Sequence, residues 1–122
     1  MEKITLQGLI NLNVGDYQLV LPTEINTPLP NALATTALEE VYINCNTIGG
    51  EIAIILPPIS SFNKNWQTKI YIINNTSIPV NIKAFNNETE LNYINGNINW
   101  RIDIAYGSNY FHIVSDNNWM AL

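Results

Sequence analysis

The feature that most constrains this chain is a period of two. Apolar side chains alternate with polar ones along most of its length, and the alternating runs are rich in Ile, Val, Leu and Tyr. Gly, Asn or Pro interrupts these runs about every 8 to 12 residues, the spacing expected of short strands. Successive side chains of a strand point to opposite faces, so such runs make half-buried strands; an amphipathic helix would need a repeat near 3.6. The predicted fold class is all-β: an antiparallel β-sandwich or jelly roll of about eight to ten strands, with a proline-interrupted loop in the first third.

The first run, Ile4 to Leu12, contains Gly8 as a candidate bulge, and Tyr17 to Leu21 follows the turn signal Gly15-Asp16, so these two are expected to pair. Pro22 lacks an amide donor and stops the ladder. Residues 22–38 hold Pro22, Pro28 and Pro30 and then an Ala-rich stretch, the least strand-like part of the chain. A loop of this length usually serves function or a partner, and Ile25, Leu29, Leu33 and Leu38 are its candidate apolar anchors. One or two helical turns are expected between Asn31 and Glu40.

Strands resume at Val41–Cys45 and, after Gly49-Gly50, at Glu51–Leu56. The stretch from Val14 to Pro22 faintly echoes that from Ile48 to Pro57, which reads as shared strand grammar. A hairpin is predicted between Lys69–Ile73 and Val80–Phe85, with Val80, Ile82 and Ala84 on one face. Asn95-Gly96 is the preferred pair for a tight turn with positive φ at both central residues. Further turns are expected at Gly107-Ser108-Asn109 and Asp116-Asn117-Asn118. The whole, 1–122, is predicted to be one domain, with N-terminal strands and the partner-contacting loop in 1–40 and the main sandwich in 41–122.

Charge restricts the partners. Five Lys plus Arg against ten Asp plus Glu give a net charge of −5, whereas nucleic acid binding needs clustered cations, so no nucleic acid is expected. At 47% hydrophobic the chain has ample core material, and no apolar run approaches the roughly 20 residues needed to span a bilayer, so no membrane is expected either. Nothing at the start resembles a signal peptide, and Met1 reads as the natural start. Only 12% of residues are charged, and 20 asparagines supply much of the polarity. A surface of that kind suits coverage by protein partners, and Asn and Ile also have AT-rich codons.

Candidate chemistry is sparse, and the chain is predicted not to be an enzyme and to need no cofactor or metal. His112, the single histidine, lies in a strand and shares a face with Tyr110 and Val114. Cys45, the single cysteine, forms no internal disulfide and reads as a small buried hydrophobe. Glu88 and Glu90 share one side of an extended segment but decorate a solvated turn, and Glu39-Glu40 and Asp103 read alike. No phosphate loop, zinc motif or serine-nucleophile motif is present. Glycosylation sequons at Asn74, Asn75 and Asn87 match by chance in so Asn-rich a chain. Trp66, Trp100 and Trp119, with Tyr106 and Tyr110, supply a platform for stacking. Trp100 alternates with Ile102 and Ile104 and belongs to the core, while Trp66 sits among polar loop residues and is the better contact.

The order of features from Ile48 to Leu122 resembles a β module of tailed-bacteriophage virion proteins, both head decoration (auxiliary capsid) proteins and fibres. It runs from Ile54-Ile55-Leu56-Pro57-Pro58 through Lys69-Ile70-Tyr71-Ile72-Ile73-Asn74-Asn75-Thr76, Val80–Ala84 and Tyr93–Asn97 to Tyr110-Phe111-His112-Ile113-Val114 and Trp119. The family has more Gly and Ser where this chain has Asn, a bias that suits a phage of an AT-rich lineage such as the crAss-like group. The resemblance implies a non-enzymatic structural virion protein, made in the host cytoplasm and located on the capsid surface. Such a protein binds the major capsid protein or other virion proteins, and stabilises the shell or presents a head fibre. It forms a homo-oligomer, with a trimer favoured. The alternative is a carbohydrate- or receptor-binding module of a phage fibre that uses Trp66 and neighbouring loops.

Overall fold

The computed structural model describes residues 1–21, 40–46, 48–62 and 69–122. The loop anchors Ile25, Leu29, Leu33 and Leu38, the helical turns expected before Glu40, and Trp66 all lie outside the described residues.

Alternation does produce strands, eleven among the described residues: β1 (Glu2–Thr5), β2 (Leu9–Leu12), β3 (Gly15–Val20), β4 (Glu40–Cys45), β5 (Ile52–Ile55), β6 (Lys69–Asn74), β7 (Val80–Lys83), β8 (Tyr93–Ile94), β9 (Asn99–Ile102), β10 (Ser108–Ile113) and β11 (Asn118–Ala121). The remaining regular element is a short 3-10 turn, Ile59–Ser61. The strands form two sheets, one of five in the order β1-β3-β5-β7-β9 and one of six in the order β2-β4-β6-β10-β11-β8.

The antiparallel arrangement expected from the turn signals is not what forms. Both sheets are mixed, with six parallel pairings and three antiparallel ones. The cause is that the first nine strands alternate between the sheets, so each strand's neighbour within a sheet is usually two strands on in sequence and runs the same way. The run Ile4–Leu12 is therefore two strands in different sheets, with Gly8 in the crossing where a bulge was expected. Lys69–Asn74 and Val80–Lys83 are likewise not a hairpin. Gly and Asn mark a change of direction, but they do not say whether the chain returns beside the strand it has left or crosses to the facing sheet. The echo between residues 14–22 and 48–57 acquires a physical meaning here: β3 and β5 are parallel neighbours, with Tyr17 opposite Ile54.

Two local expectations hold. Asn95 and Gly96 both have positive φ, 50° and 80°, and Ile94 and Asn97 exchange both backbone hydrogen bonds across them. The Asp116-Asn117 region closes an antiparallel hairpin in which Ile113 lies opposite Trp119.

Pairing in register, parallel within β2-β4-β6 and β5-β7 and antiparallel at β6-β10 and β7-β9, puts like residues above one another. Ile10, Ile43 and Ile72 form one core row, Val41, Ile70 and Phe111 another, and Ile52, Val80 and Ile102 a third from the other sheet. All belong to one continuous core between the sheets. Fully burying each such side chain contributes about 1.5–3 kcal/mol. Trp119 is fully buried against Phe62, edge to face with ring centroids 5.7 Å apart. Trp100 is half-buried and donates from Nε1 to Asn109 Oδ1 at 3.1 Å, whereas Ile104, expected beside it in the core, is 75% exposed. Ile104 comes after the end of β9, so the alternation has no sheet to act on there.

Buried Asn74 ties the crossing from β6 to β7 to the opposite sheet. Its Nδ2 donates to the carbonyls of Ile78 at 2.9 Å and Ile102 at 3.2 Å, and its Oδ1 accepts from the Thr76 amide at 3.1 Å. A glycan at this sequon has no room. Removing one partner of a buried hydrogen bond costs about 1–3 kcal/mol. Asn74→Ala is therefore expected to lower unfolding free energy by about 2–3 kcal/mol in urea titration. Asn75→Ala, on the exposed neighbour, should change it by less than about 0.5 kcal/mol.

Candidate functional site

Alternate residues of the six-stranded sheet point away from the core and build an ordered outer face. Leu9, Tyr42, Tyr71 and Tyr110 stand in register across β2, β4, β6 and β10. The Tyr71 and Tyr110 rings stack, with centroids 4.3 Å apart, and the Tyr42 ring meets Tyr71 at 83° and 5.8 Å. Hydrogen bonds fix the two middle rings of this row: Tyr42 Oη donates to Glu40 Oε2 at 2.7 Å and Tyr71 Oη to Ser108 Oγ at 2.9 Å. The bond to Glu40 raises the Tyr42 phenol above its ordinary value and keeps it a donor.

Two residues further along, β2 and β4 present amides, beside Ile73 of β6. Asn11 and Asn44 are in register, and Asn44 Nδ2 donates to Asn11 Oδ1 at 3.2 Å. One step beyond the strand ends come Asn13, Asn46 and Asn75, held by backbone bonds from Asn46 to Leu12 and from Asn75 to Cys45. These five asparagines and Thr76 line an open cleft of about 520 Å³, with Leu12 and Ile48 as its apolar part. No residue lining the cleft carries a charge.

The residues singled out in the sequence fall elsewhere. Cys45 is buried on the core side, where desolvation pushes its thiol up to about 12. His112 is on the outer side, opposite Lys69, which lies opposite Glu40, five residues before Cys45 on β4. The two therefore sit on different faces and at different ends of the sheet. Burial and the Lys69 charge lower the His112 imidazole. Glu90 does not pair with Glu88. Burial pushes the Glu90 carboxyl up, but hydrogen bonds from the Ser60 hydroxyl and amide, Asn92 Nδ2 and the Ile59 amide outweigh it, and the net shift is downward. Glu90 and buried Asn92 thereby hold the 3-10 turn, with Asn92 Oδ1 accepting from the Ile59 amide at 3.0 Å. Asp103 bridges to Arg101 at 3.2 Å on the surface.

Of the aromatic platform foreseen in the sequence, Trp100 and Trp119 pack into the body, Tyr106 stands alone and 76% exposed, and Tyr110 alone joins the ordered row. Tyr42 and Tyr71 were the residues to find. Their signal is the shared pattern of an apolar residue, Tyr and Ile in Val41-Tyr42-Ile43 and Ile70-Tyr71-Ile72, which acquires meaning once parallel stacking is known.

Among the described residues no group of three or more His, Cys, Asp or Glu is placed to hold a metal ion, and no helix is long and apolar enough to cross a membrane. Comparison with family models, with curated proteins and with solved structures finds no match to this chain.

The Cys45 thiol is expected to resist a disulfide reagent in the native protein from pH 7 to pH 10, since the thiolate is the nucleophile and the folded value of about 12 keeps it scarce. In denaturant the same thiol should react within minutes at pH 8; comparable native reactivity would contradict its burial.

Proposed function

We propose that this chain is a non-enzymatic structural protein of a tailed-phage virion, an auxiliary or decoration protein that adheres to the capsid surface or presents a short head fibre. The observation that carries this reading is a sheet edge that is unguarded among the described residues. Sheet edges that must stay free are blunted by charge or kept short. Among the described residues β1 carries Glu2 and Lys3, β9 carries Arg101, and β8 has two residues. The fourth edge strand, β2, has the sequence Leu-Ile-Asn-Leu, with neither charge nor proline, and Leu9 is 60% exposed.

Its outer backbone groups suit a neighbour's strand. The carbonyls of Gly8 and Leu12 accept from Tyr42 and Asn46 of the inner side, so the amides and carbonyls of Leu9 and Asn11 turn to the open edge. A sister subunit or a capsid-protein strand added there would extend the sheet by main-chain hydrogen bonds. The order of sequence features shared with virion β modules supports the same reading, as does a weakly charged, Asn-rich surface. The partners are then the major capsid protein and further copies of this chain, with a trimer favoured.

The test is native mass measurement followed by sedimentation with empty phage shells. An oligomer that co-sediments with shells is expected, and Leu9→Lys, which places a charge on the edge without touching the core, should weaken both by at least tenfold. A monomer indifferent to shells would overturn the assignment.

A further inference from the structure

We infer that the outer face of the six-stranded sheet is a binding site for a neutral oligosaccharide, seated in the asparagine cleft and stacked against Tyr42. This goes beyond the virion role and rests on different observations: the side chains of a sheet face, where that role rests on the backbone of an edge.

The composition of the cleft selects the ligand chemistry. A primary amide offers an acceptor oxygen and two donor hydrogens, and a sugar hydroxyl is itself both donor and acceptor, so amides and vicinal hydroxyls match one another group for group. Asn11 and Asn44 are pre-set for this. Asn44 Nδ2 donates to Asn11 Oδ1, and among the described residues the Asn11 amide hydrogens and the Asn44 side-chain oxygen make no further bond, which leaves them for a guest. Asn13 and Asn46 are exposed at the ends of β2 and β4, and Asn75 is exposed beyond β6. The cleft volume of about 520 Å³ lies within the ordinary range of ligand sites, roughly 300–1,000 Å³.

The absence of charge from that lining decides between ligand classes. A phosphate, sulfate or sialic acid needs cations or clustered amides of a helix end, and the lining contains neither Lys nor Arg. Nucleobases also stack on tyrosine, but a strand of nucleic acid brings phosphates to a chain of net charge −5. A neutral glycan meets no such penalty.

Tyr42 supplies the apolar surface. It lies two residues before Asn44 on the same face of β4, about 6.7 Å along the strand. Its ring is held by the Glu40 hydrogen bond and the Tyr71 edge contact, so little rotamer freedom is lost on binding. Tyr71 and Tyr110 cover one another and serve as its buttress. An aromatic ring beside a row of neutral hydrogen-bonding groups is complementary to a pyranose, which has one apolar C–H face and a polar rim.

The test is an array of neutral oligosaccharides (glucans, galactans, mannans and N-acetylglucosamine oligomers) with sialylated and sulfated glycans beside them, followed by titration calorimetry on the best binder. Binding of a neutral member is expected, with at least a tenfold loss of affinity in Tyr42→Ala and in Asn13→Ala. Asn13 makes no side-chain bond to another described residue that folding depends on, so an unchanged melting temperature in Asn13→Ala separates loss of ligand from loss of fold. Shell binding measured on the same variants should persist, which distinguishes this site from the β2 edge. Retention of anionic glycans alone, no neutral binder at millimolar concentration, or affinity indifferent to both substitutions would overturn the inference.

Discussion

The structure depends on a chain that changes sheet after almost every strand. Because β1 to β9 alternate between two layers, in-sheet neighbours for the most part run parallel, and strands far apart in sequence are brought into side-by-side register. Everything else follows from that pairing. Isoleucine stacks on isoleucine inside, tyrosine on tyrosine outside, and asparagine on asparagine at the strand ends. Parallel strands are ordinarily buried on both faces. Here the six-stranded sheet has one face on the core and one in solvent, so its outer rows stand as an ordered, repetitive surface.

That surface is unusual in being ordered without being charged. Lys69 and Glu40 occupy one margin, next to His112, and the rest of the outer face beside β2, β4 and β6 carries no charge: it is built from the tyrosine rings, the amides of Asn11 and Asn44, and the aliphatic Leu9 and Ile73. Such a surface offers shape, stacking and neutral hydrogen-bonding groups rather than ion pairs. The buried polar groups play a separate part. Asn74 and Asn92 satisfy backbone groups where the chain crosses or turns, so these asparagines fix the path while the exposed ones form the outer rows.

The β character, the Asn95-Gly96 turn and the final hairpin were legible in the sequence because each is encoded locally, by a period of two and by residues that accept positive φ. Strand pairing was not. The segments Lys69–Ile73 and Val80–Lys83 look like the two arms of a hairpin, since a crossing to the facing sheet uses the same Asn and Pro signals as a return beside the same strand. Asn74, whose side chain reaches Ile102 across the body, marks the crossing, and a side chain's target cannot be read from its type. The candidate site was hidden for the same reason. Tyr42, Tyr71 and Tyr110 are 29 and 39 residues apart in sequence and meet through register alone. The tryptophans drew attention as large aromatics, yet Trp119 is a core residue and Trp100 packs half-buried against the core.

Interstrand contacts in a nuclear Overhauser spectrum of the isotope-labelled protein test the sheet-alternating parallel stack most directly. Side-chain contacts are expected from Ile43 to both Ile10 and Ile72, and from Tyr71 to both Tyr42 and Tyr110. Backbone contacts pairing Lys69–Asn74 antiparallel with Val80–Lys83 would contradict it, and with it both the tyrosine row and the asparagine cleft.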